Sequence, residues 1–140
     1  KYKGKRFYKN IFRIPRYFRE INYLIKHGYT TTAMWDIDDW FIQTMLPILE
    51  DFKNAEYRGV SAIDQEMAIA LSKPNLTEDE DEAICKRYDA GLDRMIELLK
   101  FMSQEIDYSL PNAKECGLMQ AAAKDEFFKL FSQYFHTLWI

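Results

Sequence analysis

The sequence predicts an all-α fold, a single-domain bundle of about five helices over residues 1–140. Apolar residues recur every three or four positions in several long stretches, which is the spacing of one face of a helix. Five glycines and four prolines are too few for the many turns of an all-β fold. A composition that is 48% hydrophobic and 16% aromatic is rich enough for one substantial core.

A basic leader over residues 1–16 precedes the predicted bundle. Residues 1–19 hold eight Lys or Arg and no acid, whereas the other 121 residues hold 11 bases and 22 acids. This asymmetry steers an anionic partner toward one end of the chain. Cationic groups contact phosphates and aromatic rings stack on nucleobases, so the leader also matches a single-stranded nucleic-acid or nucleotide site. The side chains predicted to bind are Lys5, Arg6, Tyr8, Arg13, Arg16, Tyr17 and Arg19.

Two other interpretations of the leader stay open. Its aromatic side chains can dock on the core while its charges face solvent or acidic groups, and we favour this interpretation. Contact with anionic lipid is the one that we favour least. We also expect further residues before Lys1, because lysine is not a natural first residue.

The first helix is predicted from Pro15 to His27, with Gly28 ending it. The second occupies the stretch from Trp35 to Lys53, where Asp36 can cap the helix. The apolar side chains of the first helix are expected to face inward: Phe18, Ile21, Leu24 and Ile25.

The second helix contains Pro47, which removes one backbone hydrogen bond and pushes against the preceding turn. A kink is therefore expected near Gln43. A helix that survives such a proline must be held by packing, so we expect it to be central.

A third helix is predicted over residues 61–72, capped by Ser61. Thr77 begins the longest helix, with Glu80 placed for a capping box. Gly91 lies beside the apolar stripe of this helix and allows another helix to approach closely. The stripe itself is Ile84, Tyr88, Leu92, Met95, Leu99, Met102 and Ile106.

A final helix is predicted over about residues 113–138, and it carries two rows of large side chains. One row is Phe128, Phe131, Phe135 and Leu138, and the other is Phe127, Leu130 and Tyr134. A helix that is apolar on two faces must be covered on both. We expect this aromatic helix to be the central helix of the bundle; coverage of one row by a partner or a second copy is the alternative.

Three stretches of this chain resemble sequence patterns of a group of small phage and prophage proteins of unassigned function. The second helix is similar to their W-x-[LI]-D…LP-x-L-x-x-FK pattern, 92–96 to an L-D-K-M-I helix, and 128–139 to a closing LF-x-x-YF-x-x-LW helix. Here Phe127 and Phe128 stand where the group has Gly-Leu. The resemblance implies a phage origin and a helical fold, and no activity. The residues that carry it are Trp35, Ile37, Asp38, Leu46, Pro47, Leu49, Phe52 and Lys53, then Leu92, Asp93, Arg94, Met95 and Ile96, then Phe128, Leu130, Phe131, Tyr134, Phe135, Leu138 and Trp139.

No set of residues matches a known catalytic machinery. The two histidines stand in unrelated contexts, and no two glycines are close enough to form a phosphate-cradling loop. Carboxylates spaced three apart are the exception, because all-α nucleotide pyrophosphohydrolases bind Mg²⁺ with such groups. These low-ranked candidate metal ligands are Asp36, Asp39, Glu78 and Asp81. We expect no enzyme activity and no cofactor, and we expect Cys85 and Cys116 to be reduced thiols.

The leading prediction is therefore a non-enzymatic phage accessory protein that binds a host or phage protein, as an inhibitor or adaptor of a host factor. The alternatives are nucleic-acid or nucleotide binding by the leader, a metal-dependent nucleotide pyrophosphohydrolase, and a virion or assembly component. No apolar run approaches 18 residues and no signal peptide is visible, so we expect no membrane partner. The expected location is the bacterial host cytoplasm, or the virion for a structural component. A homo-oligomer formed through the C-terminal aromatic helix is also predicted.

Overall fold

The computed structural model describes residues 14–31, 36–56 and 58–138, without the side chains of Ile14 and Arg16. These residues form five helices and contain no strand, which confirms the all-α prediction. The helices are α1 (Ile14–His27), α2 (Ile37–Asn54), α3 (Gln65–Leu71), α4 (Glu78–Met102) and α5 (Ala113–Tyr134).

The chain divides into two compact units, Lys1–Phe41 and Ile42–Ile140. The first contains α1 and the first turn of α2, and the second contains the rest of α2 with α3, α4 and α5. The single domain predicted over 1–140 stays a prediction.

Helix α1 ends where the sequence predicts. Gly28 has φ +80, a left-handed conformation that suits glycine, and its N–H donates to the Leu24 carbonyl at 2.7 Å. The chain then folds back, because the Thr31 N–H donates to the Glu20 carboxylate at 2.9 Å. The expectation that the apolar side chains of α1 face inward is wrong, since Phe18 is 68% and Ile25 is 80% exposed.

Helix α2 begins directly after Asp36, and the Trp40 N–H donates to the Asp36 carbonyl at 3.0 Å. It continues through Pro47 and buries Leu49 and Phe52 near its end. The kink at Pro47 stays a prediction, as does a central position for this helix.

Helix α3 begins later than predicted, and Ser61 is not its cap. Asp64 caps it instead, accepting from the Met67 N–H at 2.9 Å. Arg87 of α4 donates to the other carboxylate oxygen of Asp64 at 2.6 Å, so a long-range contact holds the capping side chain in place. Met67 is the buried residue of this short helix.

Helix α4 contributes the largest number of buried side chains to the second unit. Its predicted capping box is confirmed: the Glu80 N–H donates to Thr77 Oγ1 at 3.3 Å, and the Thr77 N–H donates to the Glu80 carboxylate at 3.2 Å. The helix ends at Met102, so the last predicted stripe residue, Ile106, lies beyond it. The buried side chains are Ile84, Tyr88, Leu92, Met95, Ile96, Leu98 and Leu99.

Helices α4 and α5 pack together at Gly91. A Cβ atom on Gly91 would come within 2.6 Å of Tyr134 Cζ, so only glycine leaves room for that ring. The Tyr134 hydroxyl donates to the Tyr88 carbonyl at 3.0 Å, and the Tyr88 hydroxyl donates to the Thr137 carbonyl at 3.1 Å. The close approach predicted for Gly91 is therefore confirmed, and buried hydrogen bonds satisfy both phenols.

Helix α5 ends at Tyr134, earlier than the predicted end near residue 138. Thr137 turns the chain inward: its N–H and its hydroxyl both donate to the Tyr134 carbonyl, at 2.7 and 2.8 Å. Of the two predicted rows, Phe127 and Tyr134 are buried, whereas Phe128 and Phe135 are 47% and 59% exposed. The central position of α5 stays a prediction.

Candidate binding surfaces

Most of the predicted leader site falls outside the described residues. Lys5, Arg6, Tyr8 and Arg13 lie there, and Arg16 is on α1 with its side chain undescribed. Tyr17 and Arg19 are on α1, and both are exposed. The leader site as a whole therefore stays a prediction.

The first candidate surface is one face of α1, formed by the side chains at positions 17, 18, 21, 24 and 25. Their three-to-four spacing places them on one side of the helix. All five are exposed large hydrophobic or aromatic groups: Tyr17, Phe18, Ile21, Leu24 and Ile25. The exposed Arg19 and Lys26 fall on the other side. Helix α1 thus presents an apolar face and a basic face to solvent.

The second candidate surface is a groove between α4 and α5, which we call the α4–α5 groove. Its larger half has a volume of ≈ 460 Å³, and its smaller half, of ≈ 260 Å³, lies toward the turn that joins the two helices. Phe101 of α4 and Met119 of α5 line both halves. Leu98 of α4 and the small side chains of Ala122 and Ala123 of α5 also line the larger half.

Charged side chains line the larger half at the end away from that turn. The Arg94 guanidinium donates to the two Glu126 carboxylate oxygens at 2.7 and 2.9 Å, and to Glu97 at 3.2 Å. These bonds raise the pKa of Arg94 and lower the pKa of Glu126. Because one cation faces two carboxylates, this end retains a net negative charge.

The other end of the groove is ordered by side-chain to backbone bonds. The Gln120 amide donates to the Gln104 carbonyl at 2.7 Å, which fixes the chain leaving α4 against α5. Asp107 accepts from the Ser109 hydroxyl and N–H, at 2.6 and 2.9 Å, and these bonds lower its pKa. Glu105 and Asp107 therefore place two further acids on the rim of the smaller half.

A polar cluster lies on the opposite side of α4. Arg58 contacts the Asp89 carboxylate, and its guanidinium carbon lies 5.9 Å from the Tyr88 ring centroid. Burial, followed by the charges of Asp81 and Asp89, raises the pKa of the Cys85 thiol, so this cysteine is poorly suited to nucleophilic chemistry. Both Cys85 and Cys116 are free thiols.

The candidate metal ligands occupy helix starts. Asp36 and Asp39 stand at the beginning of α2, Glu78 and Asp81 stand in the first turn of α4, and all four are exposed. Carboxylates are favoured at these positions by the helix dipole. Within residues 14–31, 36–56 and 58–138, no group of three or more His, Cys, Asp or Glu is arranged to hold a metal ion.

None of the described helices is both long enough and apolar enough to cross a bilayer. No family model, no curated protein and no solved structure matches the chain. The binding surfaces must therefore be interpreted from their own chemistry.

Sequence reasoning missed the α4–α5 groove. The groove depends on which face of α5 meets Leu98 and Phe101, and that pairing is not visible in either helix alone. One local signal was present: the alanine run 121–123 leaves α5 without large side chains over one turn. Small residues opposite large ones indicate a close approach or a depression.

Proposed function

We propose that this chain is a phage-encoded accessory protein that acts by binding another protein, as an adaptor or as an inhibitor of a host factor. The α4–α5 groove carries the proposal, because its apolar lining is open to solvent at Leu110 and Met119. Contiguous exposed apolar surface with a polar rim is typical of protein contact sites. The resemblance to phage and prophage proteins supports the proposed origin.

The shape and charge of the groove suit an amphipathic helix of the partner. Two roughly lengthwise walls, contributed by α4 and α5, leave an apolar channel of the kind that receives one stripe of a helix. The rim carries four acids, Glu97, Glu105, Asp107 and Glu126, against one base, Arg94. A partner helix with basic residues beside its apolar stripe would complement this rim.

Two neighbouring residues of α5 provide a matched test. Met119 and Leu118 are 53% and 65% exposed, and only Met119 lines the groove. A carboxylate at Met119 would lose its hydration when a partner docks, whereas one at Leu118 would stay in water. Met119→Glu should therefore weaken partner binding at least about tenfold while Leu118→Glu leaves it unchanged.

The measurement is affinity capture of the full chain from infected cells, followed by titration of the purified partner with both variants. A dominant host protein that Met119→Glu loses and Leu118→Glu retains supports the proposal. Equal capture by both variants, or capture of phage structural proteins in place of a host protein, contradicts it. The second of these outcomes favours the virion or assembly role.

Nucleic-acid or nucleotide binding is the second candidate function. It is favoured by the exposure of Arg19 on α1, whose guanidinium is available to phosphates; the Tyr17 ring is also exposed, on the other side of the helix. Oligonucleotide affinity should then fall steeply between low and moderate salt, and Arg19→Gln should reduce the slope of that dependence. Binding that is absent or insensitive to salt would remove this candidate.

Three further proposals have less structural support. The exposed aromatic side chains of α5 are proposed to hold a second copy of the chain, which can be tested from the dependence of molecular mass on concentration. A cytoplasmic location in the host follows from the adaptor role. The metal-dependent hydrolase stays a prediction, and Asp36→Asn with Asp39→Asn should abolish any turnover that depends on Mg²⁺.

A further inference from the structure

Helix α1 has a chemistry that the groove-based function does not use. The described side chains of its apolar face, from Tyr17 to Ile25, are all exposed. Residues 1–31 hold nine bases and one acid, Glu20, and that acid accepts from Thr31. Nine bases against one acid give this segment a formal net charge of +8.

We propose that α1 lies on an anionic lipid surface, with its apolar face in the headgroup region and its bases among the lipid phosphates. Helices that lie in the membrane interface combine a strongly apolar face, a face rich in Lys and Arg, and a low overall hydrophobicity. Such a helix needs no membrane-spanning length, so the proposal agrees with the absence of a spanning helix among the described residues.

The composition of the apolar face favours lipid over nucleic acid. Three of its five side chains, Ile21, Leu24 and Ile25, are aliphatic, and aliphatic groups do not stack on nucleobases. Acyl chains, by contrast, accept aliphatic and aromatic groups alike. A single-stranded nucleic acid would leave most of this face in water.

The arrangement of charge favours lipid over an apolar protein groove. Arg19 and Lys26 are exposed on the helix side away from Ile21 and Ile25, and their long side chains can reach headgroups while the apolar groups insert. A leaflet offers anionic groups along the whole helix, so it satisfies all of these bases together. Residues 42–140, with 18 acids and 10 bases, have no such attraction for anionic lipid.

The test uses the full chain and two kinds of large vesicle, phosphatidylcholine alone and equimolar phosphatidylcholine and phosphatidylglycerol. Flotation should recover the protein with the anionic vesicles, and added salt should release it. Phe18→Ser with Ile25→Ser should lower partition roughly tenfold for each side chain. Arg19→Gln with Lys26→Gln should lower it roughly fivefold for each base.

Matched controls lie on α5, where Leu118 and Lys114 are also exposed. Leu118→Ser and Lys114→Gln should leave partition unchanged. The groove variant Met119→Glu should also bind vesicles as the wild type does, so failure of the proposed protein-binding function and failure of lipid binding give different results. Circular dichroism of each variant checks that the helical content is retained.

Several outcomes would overturn the proposal. They are no partition into anionic vesicles, equal partition into both kinds of vesicle, and equal loss in the α1 and α5 variants. Binding of an oligonucleotide without vesicle binding would assign α1 to nucleic acid. Self-association that Phe18→Ser abolishes, again without vesicle binding, would assign the face to a second copy.

Discussion

Helices α1 and α4 are both amphipathic by sequence, yet the apolar face of α4 is buried and that of α1 is exposed. Tyr88, Leu92, Met95 and Leu99 of α4 are fully buried, whereas Phe18 and Ile25 of α1 are largely exposed. Helical periodicity identifies which side of a helix is apolar, and it does not identify what covers that side. The difference separates apolar surface that the fold buries from apolar surface that it leaves exposed.

The buried face of α4 is stabilised by specific contacts as well as by the burial of apolar surface. Tyr134 fits against Gly91 and bonds to the Tyr88 carbonyl, and Thr137 receives the Tyr88 hydroxyl. The apolar side chains of α1 are largely exposed instead, and its 14 residues are about the length at which an isolated helix is marginal in water. We therefore expect the two helices to respond very differently to the same change.

The largest expected difference comes from replacing a tyrosine by alanine at the α4–α5 contact and on α1. Tyr134→Ala removes a buried ring from the α4–α5 contact and should lower the free energy of unfolding by about 4 kcal/mol. Tyr17→Ala, at a residue of α1 that is 63% exposed, should change it by less than about 0.5 kcal/mol. Urea unfolding of both full-length variants checks this. Similar losses would show that α1 also contributes to the stabilising core.

Alkaline pH should weaken the α4–α5 contact next most strongly. Burial, with a smaller contribution from Tyr88, raises the pKa of Tyr134 to about 12 from 10.0. The unfolded chain therefore loses this proton at a lower pH than the folded chain. The contribution of Tyr134 to stability is fully present below about pH 10 and is lost as the pH rises toward about 12. The shift corresponds to about 3 kcal/mol. Tyr134→Phe should lose most of this pH dependence, and an unchanged dependence would contradict the assignment to Tyr134.

Replacing each of two glycines by alanine should change the stability by an intermediate amount, with opposite signs at the two positions. Gly91→Ala must displace the buried Tyr134 ring and should cost about 1–2 kcal/mol, even after the gain in helix propensity. At Gly117 the nearest atom to a new Cβ is Ile106 Cδ1 at 3.9 Å, so Gly117→Ala should stabilise by about 0.5–1 kcal/mol. Thermal unfolding of both variants measures the signs. Stabilisation by both substitutions would mean that the α4–α5 approach is looser than the structure indicates.

The smallest effect tests the start of α3. Asp64→Ala removes the cap of this helix and should lower stability by about 1 kcal/mol. Ser61→Ala should change stability by less than about 0.5 kcal/mol, because Ser61 stands outside the helix. Chemical unfolding of the pair checks the position of the cap. A larger loss of stability for Ser61→Ala than for Asp64→Ala would indicate that the helix begins at Ser61, as the sequence alone predicts.

The elements that the sequence predicted well are those that local chemistry decides. The Thr77 and Glu80 capping box, the α4 stripe and the left-handed Gly28 depend on residues within one or two turns. Ser61 and Asp64 are both good caps, and a distant residue, Arg87, contacts the one that is used. The α4–α5 groove depends on the pairing of two helices, so no single stretch could reveal it. Of the predicted leader site, only Tyr17 and Arg19 have described side chains.

Hydrogen exchange across the full chain tests the contrast between the two helices most directly. Amides of α1 should exchange through local opening, whereas amides from Leu92 to Leu99 should exchange only near global unfolding. Anionic vesicles should slow exchange in α1 and leave α4 unchanged. Equal protection of both helices without vesicles would contradict the claim that the apolar face of α1 is left open for a partner.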